Sequence, residues 1–444
     1  MRLWRWFYPG LNIKRWIFMF SIGLILVIFG ITMMFNYQFF GVVEEWLFRV
    51  VFEMTGRYNY AVLVAVGAVV TVIGAVLMVM GFRLLMRRIL DSIAPDRTGA
   101  LGHLLLERAR RDRGPSVVAI GGGTGLSTLL RGMKKRTSHL TAIVTVADDG
   151  GSSGRLREEM GIIAPGDLRN CLVAMAEKET LMDEVFQHRF GGTGTLAGHS
   201  MGNLFLAALM ERYRDPETAL EAASEILNVR GKVVPSSTAR LRLRAEMEDG
   251  TVVDGESRIP RTGKRIRRLH VLPENPTAVA AAIEAMAQAD IITLGPGSLY
   301  TSVLPNLLVP EMALALQCSD AIKIYICNAM TQPGETDGYT VADHVRAIFD
   351  HVGPGVVDYV LINDRLPEPE VLERYRQLGS VPVEADTDAL KRLGVKYIRA
   401  NVLASGEAAA HDPDLLAAAL IDAAYAVQSD LHPQLLDYYF ESAH

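Results

Sequence analysis

The segment VVAIGGGTGLSTLLRGMKK, Val117–Lys135, decides the fold. Its first four residues have the apolar character of a buried strand, a run of glycines follows, and apolar residues then recur at helical spacing. A strand that passes through glycines into a helix is typical of an α/β domain. Free N–H groups at the start of such a helix favour anionic ligands. The candidate ligand-binding residues of this turn are Gly122, Gly123, Thr124 and Gly125.

Two common phosphate-binding patterns do not fit this turn. A dinucleotide fingerprint that starts at Gly121 requires a sixth-position glycine, and the chain has Leu126 there. A P-loop requires lysine directly after its last glycine, and Lys134 lies too far along the helix. ATP hydrolysis by the P-loop route is therefore disfavoured. A tight turn that binds nothing is the alternative, but four glycines and a threonine exceed what a turn requires, so we favour an anion site.

Composition limits the possible functions. The chain has 444 residues, of which 50% are hydrophobic, and this length suits two or three domains. A net charge of −5 gives no support to nucleic-acid binding by the whole molecule. Cys171, Cys318 and Cys327 are widely spaced, so neither a disulfide framework nor a cysteine zinc site is indicated, and a reducing compartment is expected.

Two uncharged segments, Trp16–Phe35 and Tyr58–Phe82, predict a two-span membrane anchor in residues 1–82. A cleavable signal peptide is disfavoured, because no small-x-small site follows Phe35 and a second span comes next. Basic residues flank both spans on the outer sides, which places both ends in the cytoplasm. We therefore expect a multi-pass protein of the inner membrane with its globular domain in the cytoplasm. Residues 83–115 form a basic linker, suited to anionic head groups or simply to solvent.

Residues 116–430 alternate strand and helix patterns. This predicts an α/β fold, namely a Rossmann-like, doubly wound, mostly parallel sheet. Ala239–Ser257 alternates apolar and polar residues around Asp249-Gly250, which predicts a hairpin within a small β insertion. A tail follows at residues 431–444. The predicted strands are Ser116–Gly121, Leu140–Ala147, Asp290–Gly295, Ala321–Cys327 and Val356–Asn363, and the predicted helices are Leu126–Lys135, Asn203–Arg214, Thr218–Asn228, Thr277–Ala289, Val341–Asp350 and Pro413–Ser429.

Polar residues follow the second strand in the run ADDGGSSGR. Ligands of doubly wound folds collect beyond the carboxyl ends of strands, where an acidic residue commonly binds ribose. Asp149 could also hold Mg²⁺ against a diphosphate. Two alternatives remain open here: Asp148 caps a turn, and Arg155 pairs with a nearby glutamate. The candidate ligand-binding residues of this run are Asp148, Asp149, Ser152, Ser153 and Arg155.

Similar loops follow other strands or begin helices. Asp167 is placed to cap a helix, whereas His199 alone is more typical of a structural histidine. Together these loops predict a nucleotide-sized cleft at one edge of the sheet. The candidate ligand-binding residues in them are Asn203, Gly297, Ser298, Asn328 and Thr331.

An ordered series of motifs resembles a known family. The motifs are GGGTGLS, TVADDGGSSGRLR, PGDLRN, QHRF, GHSMGN, LNVRGKV, GPGSLYTSVLPNL and ICNAMTQPGET. In this order they resemble the gluconeogenesis factor family of the YvcK type, within the CofD-like superfamily of 2-phospho-L-lactate transferases. The resemblance extends from Ser116 to about Ser429, and the two membrane segments lie outside it.

The resemblance implies a nucleotide-sugar-binding regulator whose ligand is UDP-N-acetylglucosamine, linked to cell shape and cell-wall precursor supply. We also expect an enzyme of amino-sugar synthesis as partner, and a homo-oligomer. The alternative is a Mg²⁺-dependent transferase of the phospho-lactate transferase type. By the same resemblance Tyr375 corresponds to a uridine-binding tyrosine. One position departs from the family, since Ala410 stands where members often have an arginine before a His-Asp pair.

Overall fold

The computed structural model describes residues 14–34, 60–93, 111–177, 179–406 and 408–428, with isolated positions between 41 and 56. The chain divides into two compact units, Met1–Glu107 and Arg108–His444. The predicted tail, most of the predicted loop between the two spans, and residues 94–110 of the predicted linker lie outside the described residues.

Two long helices, α1 (Lys14–Met34) and α2 (Tyr60–Ile93), are described in the first unit, and they pack antiparallel through glycines. A Cβ atom at Gly23 would lie 2.5 Å from the backbone nitrogen of Met78. A Cβ atom at Gly74 would likewise lie 2.7 Å from the backbone nitrogen of Val27. Such close backbone approach is typical of helix pairs that lack large interfacial side chains.

The prediction of two membrane-spanning helices is not confirmed. Val64–Met86, with 23 residues, is the one described helix that is itself long and apolar enough to cross a membrane. The apolar part of α1 is shorter, Trp16–Thr32, and falls short of the ~20 residues that a span requires. Helix α2 also continues to Ile93, inside the segment predicted to be linker.

The second unit is built on a seven-stranded sheet in the order β10-β9-β8-β7-β1-β2-β3, and every pairing in it is parallel. The central strands are buried along their whole length, because helices cover both faces of such a sheet. This confirms the predicted α/β fold with a parallel central sheet. The strands of this sheet are β1 (Val117–Gly121), β2 (Leu140–Val144), β3 (Lys232–Pro235), β7 (Ile291–Leu294), β8 (Ile322–Ile326), β9 (Tyr359–Asn363) and β10 (Lys396–Ala400).

The helices of this unit include those predicted and several that the sequence pattern did not indicate. A π-helical turn spans Leu299–Val303. The helices are α3 (Gly123–Met133), α4 (Gly151–Met160), α5 (Gly166–Met175), α6 (Glu179–Gln187), α7 (Met201–Tyr213), α8 (Pro216–Ile226), α9 (Ala280–Ala287), α10 (Leu304–Leu307), α11 (Pro310–Cys318), α12 (Val341–Val352), α13 (Pro369–Gln377), α14 (Thr387–Arg392) and α15 (Pro413–Gln428).

Strand β1 marks the switch point of the sheet. It pairs with β2 on one side, where Gly121 is opposite Val144, and with β7 on the other, where Ile120 is opposite Leu294. From β1 the chain proceeds outward to β2 and β3, and from β7 it proceeds the opposite way to β10. The loops after β1 and β7 therefore diverge, and the crevice between them is where doubly wound folds bind ligands.

The predicted β insertion is a three-stranded antiparallel sheet in the order β5-β4-β6. Strands β4 (Arg242–Met247) and β5 (Val252–Asp254) form the expected hairpin around Asp249-Gly250. The segment that follows the hairpin supplies the third strand, β6 (Ile266–Leu272). Its apolar side chains, among them Ile266 and Leu269, join the main core, so the insertion is packed onto the α/β unit.

Candidate functional site

A cavity of about 290 Å³ opens at the switch point, between the loops that follow β1 and β7. None of the described residues that line it is an Asp, Glu, Lys or Arg. The cavity thus offers neutral hydrogen-bonding groups and the start of α3. The lining residues are Gly122, Gly123, Thr124, Gly125, Thr128, Pro296, Gly297, Ser298, Ser302, Asn328, Gln332, Ala410 and His411.

The glycines are required because neighbouring groups approach the turn closely. A Cβ atom at Gly122 would lie 2.5 Å from Oδ2 of Asp167, and one at Gly125 would lie 2.7 Å from the carbonyl oxygen of Pro296. Helix α3 begins here, so its first N–H groups lack partners within the helix and carry partial positive charge. The backbone can therefore donate hydrogen bonds directly to an anion in the cavity.

The hydroxyl of Ser298 is held on the opposite wall. Its Oγ donates to the carboxylate of Glu335, and it accepts a hydrogen bond from Oγ1 of Thr301 at 2.8 Å. Burial raises the pKa of Glu335, whereas the hydrogen bonds that its carboxylate accepts from Ser298 and from the backbone of Tyr300 lower it. Ser298 is thus fixed in orientation before any ligand binds.

The third wall comes from the C-terminal part of the chain. Ala410 and His411 line the cavity, and the backbone N–H of Ala409 donates to Oη of Tyr375 at 3.3 Å. Tyr375 on α13 therefore lies beside this wall, although it does not itself line the cavity. Ala410 does lie at the cavity, so the sequence departure noted above falls on the site.

Carboxylates gather beside the cavity. The carboxylate of Asp167 accepts from the backbone N–H of Gly123, and burial together with nearby Asp148 raises its pKa to about 7. Burial also raises the pKa of Asp148. Glu256 reaches this group from the small antiparallel sheet, and its pKa rises to about 8 through burial and the surrounding carboxylates, Asp148 first among them.

Asp149 contacts the small sheet rather than the cavity. Its Oδ1 accepts from the backbone N–H of Ser257 at 2.9 Å, and Gly255 packs against its Oδ2. Among the described residues no group of three or more His, Cys, Asp or Glu side chains is arranged to hold a metal ion. The residues around Asp149 therefore do not form a metal site as they stand, and Mg²⁺ binding by Asp149 stays a prediction.

Three candidate residues form a buried polar network beneath the carboxylates. The amide Nδ2 of Asn203 donates to Oγ of Ser152 at 3.1 Å and to Oγ of Ser153 at 3.4 Å. Ser152 in turn contacts Nδ1 of His199 at 3.0 Å, and burial lowers the pKa of this histidine. Ser153 also hydrogen-bonds Asp148. These residues support the site from below and do not line the cavity.

Two further candidates lie away from the cavity. The guanidinium of Arg155 donates to the carbonyl oxygen of Ala197 at 2.9 Å, so it pairs with neither nearby glutamate. Thr331 is buried, and its Oγ1 accepts from the backbone N–H of Val381 at 3.0 Å. Asp148 does cap a turn, because its Oδ1 accepts from the N–H of Gly150 at 2.8 Å.

The role expected for Asp167 was wrong. The N-cap position of α5 is Pro165 and has no side-chain cap, whereas Asp167 lies in the first helical turn and bonds the glycine turn after β1 instead. The sequence interpretation also missed Glu256 and gave His411 no role. Glu256 belongs to the turn between β5 and β6, and only its acidic character near Asp254-Gly255 could have indicated a site. A lone histidine carries no such signal.

Comparison with known proteins identifies the family. The family model for 2-phospho-L-lactate transferase CofD matches residues 117–403. A protein named gluconeogenesis factor from Bacillus subtilis is 48% identical over 309 residues, which cover 69% of this chain and 98% of the relative. A Nostoc protein that bears the same name provisionally is 45% identical over 421 residues, 94% of this chain and 91% of the relative.

A solved crystal structure has the same fold as the α/β unit. The crystal structure of a UPF0052-family protein from Bacillus halodurans is 49% identical, with a TM-score of 0.67, and the match covers 69% of this chain and 99% of that one. The α/β unit therefore has the fold of that protein at high identity. By the family model and by these relatives, the chain belongs to the gluconeogenesis factor family, whose α/β unit is CofD-like.

Proposed function

We propose that the α/β unit is a nucleotide-sugar-binding regulator whose ligand is UDP-N-acetylglucosamine. The observation that supports this most directly is the contrast between the two parts of the crevice. The glycine turn after β1 offers hydrogen-bond donors, which suit a diphosphate. Asp148, Asp167 and Glu256 offer acceptors, which suit the hydroxyl and amide N–H groups of an amino sugar.

The wall around Tyr375 suits the nucleobase. The Oη of Tyr375, on α13, accepts from the N–H of Ala409, and the next residue, Ala410, lines the same cavity as the glycine turn. An aromatic ring next to a diphosphate site offers a stacking surface for a pyrimidine. Base, diphosphate and sugar would then extend from α13, across the glycine turn, to the carboxylates.

A binding role is favoured over catalysis because the reactive groups near the crevice are already engaged. Ser298 donates to Glu335, and Asp149 accepts from Ser257. Ser152, the serine that contacts a histidine, is buried within the polar network. We propose that the ligand-bound unit regulates an enzyme of amino-sugar synthesis, and so links carbon supply to cell shape and cell-wall precursors. The name gluconeogenesis factor, which relatives bear, supports the link to carbon supply.

Calorimetric titration of the full chain in detergent tests the ligand. UDP-N-acetylglucosamine should bind, UDP should bind more weakly because it lacks the sugar, and GDP-mannose should bind least. The absence of any heat with UDP-N-acetylglucosamine at millimolar concentration would refute the proposal. Addition of the complex to the first enzymes of amino-sugar synthesis then tests regulation, and unchanged rates with every enzyme would refute the regulatory role.

A transferase is the second candidate, because Asp167 and Glu256 have pKa values of about 7 and about 8 and can exchange protons near neutral pH. The CofD family match also favours it. The test is incubation with a deazaflavin acceptor, a guanylylated phospholactate donor and Mg²⁺, followed by mass spectrometry. Absence of the joined product would exclude this candidate.

We propose further that α1 and α2 form a membrane hairpin. Their contact is made by glycines, and their outer faces carry large exposed apolar side chains, as expected of helices surrounded by lipid. Three of these side chains are Phe18, Ile25 and Val72. In this arrangement both ends of the hairpin would be cytoplasmic.

Labelling of intact cells with an impermeant maleimide tests that topology. A cysteine introduced as Gly41→Cys should react from outside, whereas the exposed native Cys318 should react only after permeabilisation. Protection of both cysteines in intact cells would contradict the hairpin.

A further inference from the structure

His411 is the one titratable side chain among the described residues that line the cavity. Its Nε2 is buried and has no hydrogen-bond partner among the described residues. A buried, unpaired ring nitrogen costs free energy unless a ligand or solvent supplies the partner. The glycine turn of α3, which favours phosphate, lines the same cavity. Two separate observations thus indicate a ligand group at one place.

The backbone around His411 is held firmly. His411 forms an antiparallel bridge with Leu403, the N–H of Ala404 donates to the carbonyl oxygen of Ala410 at 2.8 Å, and the N–H of Asp412 donates to that of Val402 at 2.8 Å. The histidine is therefore fixed on both sides by a short ladder.

Helix α15, which follows directly, ties His411 to the glycine turn. Asp412 begins this helix, and its Oδ1 accepts from the N–H groups of Asp414 and Leu415 at 2.9 Å. Helix α15 packs on α3 so closely that a Cβ atom at Gly132 would lie 1.8 Å from the carbonyl oxygen of Pro413. Because α3 starts with the glycine turn, His411 and that turn are positioned by the same helix contact.

We propose that His411 binds a phosphate group of the nucleotide ligand through Nε2 and takes up a proton as the ligand binds. This inference rests on the proposed nucleotide-binding function and names a residue and a proton step within it. Burial lowers the pKa of His411 to about 4, so the free protein holds this imidazole neutral at pH 7. A phosphate brought against a buried imidazole favours the charged form and so raises that pKa.

The charged groups on the neighbouring elements that contact His411 or its helix do not account for this proton uptake. On α15, Asp412 is engaged as the helix cap, and Asp414 pairs with Lys135 of α3 at 2.8 Å. Tyr375 on α13 accepts from Ala409. The nearby carboxylates Asp167 and Glu256 can also take up protons, so the contribution of His411 is the difference between the wild type and a variant at position 411.

The experiment is calorimetric titration of the full chain with UDP-N-acetylglucosamine at pH 5.5–8, in buffers of different ionisation enthalpy. A diphosphate diester does not titrate in this range, so protons taken up belong to the protein. His411→Gln keeps a donor but cannot be charged, and should reduce proton uptake by about one proton per chain at the pH where uptake is greatest. His411→Ala should weaken binding roughly tenfold or more.

His139→Gln is the matched control. His139 is exposed and directly precedes β2, at the end of the sheet away from the cavity, and its Nε2 contacts the carbonyl oxygen of Asp112 at 3.1 Å. It should change neither affinity nor proton uptake. Thermal midpoints of all variants establish that they are folded. Equal affinity and equal uptake in wild type and both His411 variants would overturn the inference while leaving the proposed function intact.

Inorganic pyrophosphate separates the two proposals. If the chain binds pyrophosphate in a His411-dependent manner but not UDP-N-acetylglucosamine, the phosphate-binding role of His411 stands and the proposed function fails. If neither compound binds, both fail. Weaker binding by His411→Ala without any difference in proton uptake would overturn the proton step.

Discussion

The crevice at the switch point has two parts that differ in the groups they offer to a ligand. The wall formed by the turns after β1 and β7 uses backbone N–H groups and neutral side chains, and none of its described lining residues is an Asp, Glu, Lys, Arg or His. The adjoining group of Asp148, Asp167 and Glu256 consists of carboxylates from three separate elements. A donor wall thus adjoins an acceptor wall.

This difference explains how the site can orient an elongated ligand. Backbone donors do not titrate, so the donor wall keeps its preference for anions at any pH. Carboxylates repel a diphosphate and attract hydroxyl groups, so the acceptor wall excludes one end of a nucleotide sugar and receives the other. Because the walls also differ in their response to pH, substitutions can separate them.

The largest effect should come from a substitution that places a side chain in the glycine turn of the donor wall. Gly125→Val would drive a side chain into the carbonyl oxygen of Pro296, which lies 2.7 Å from the position of a Cβ atom. We expect at least a hundredfold loss of UDP-N-acetylglucosamine affinity in calorimetry, with a loss of stability of about 1–3 kcal/mol from overpacking.

Gly191→Ala is the matched control, because a Cβ atom there would meet nothing within 4 Å. It should bind as the wild type does. Unchanged affinity in Gly125→Val, measured on chain that is folded by its thermal midpoint, would show that the ligand does not contact the donor wall.

The next effect concerns the acceptor wall and pH. In the folded chain the pKa of Asp167 is about 7, against 3.8 for an unperturbed aspartate, so unfolding in this range releases a proton. Stability should therefore be highest near pH 4 and fall as the pH rises through 7. At 1.36 kcal/mol per pKa unit, the difference between 3.8 and about 7 corresponds to a loss on the order of 4 kcal/mol.

Asp167→Asn cannot ionise and should be more stable than the wild type above pH 7, with a flatter profile of thermal midpoint against pH. Asp364→Asn serves as control, because Asp364 lies 3.6 Å from Arg399 at an exposed site, and loss of such a pair changes stability by less than about 1 kcal/mol. Parallel pH profiles for wild type and Asp167→Asn would contradict the assignment.

A smaller effect should distinguish the sugar from the nucleotide. Glu256→Gln replaces an acceptor that we assign to the sugar. Above pH 8, where the Glu256 carboxylate is ionised because its pKa is about 8, affinity for UDP-N-acetylglucosamine should fall roughly tenfold, as for a hydrogen bond to a charged group. Affinity for UDP, which lacks the sugar, should not fall. Glu246→Gln is the control, since Glu246 lies on the same small sheet and pairs with Arg267. An equal loss of affinity for both ligands would contradict the assignment of the sugar to the acceptor wall.

The donor wall was the part that sequence could predict, because it is encoded locally. The strand, glycine turn and helix of Val117–Lys135 occur in one continuous stretch, and the structure forms them as β1 and α3. The hairpin around Asp249-Gly250 was likewise predicted from neighbouring residues.

The acceptor wall could not be predicted in the same way. Asp167 looks like a helix cap, but tertiary contact with the glycine turn decides its role. The run GGSSGR resembles a loop by propensity, yet burial of Ser152, Ser153 and Leu156 against the core makes it the start of α4. Glu256 is remote from Asp148 in sequence, and only packing of the small sheet brings them together.

The smallest effect should come from Tyr375→Phe. This change keeps the ring that we assign to the nucleobase and removes only the oxygen that accepts from the N–H of Ala409 at 3.3 Å, a long and weak hydrogen bond. We expect a two- to threefold loss of affinity for UDP and UDP-N-acetylglucosamine alike, because the base is common to both. Tyr375→Ala should lose about tenfold through the missing ring surface. If both variants bind as the wild type does, the base does not contact Tyr375, and its assignment to this end of the crevice is wrong.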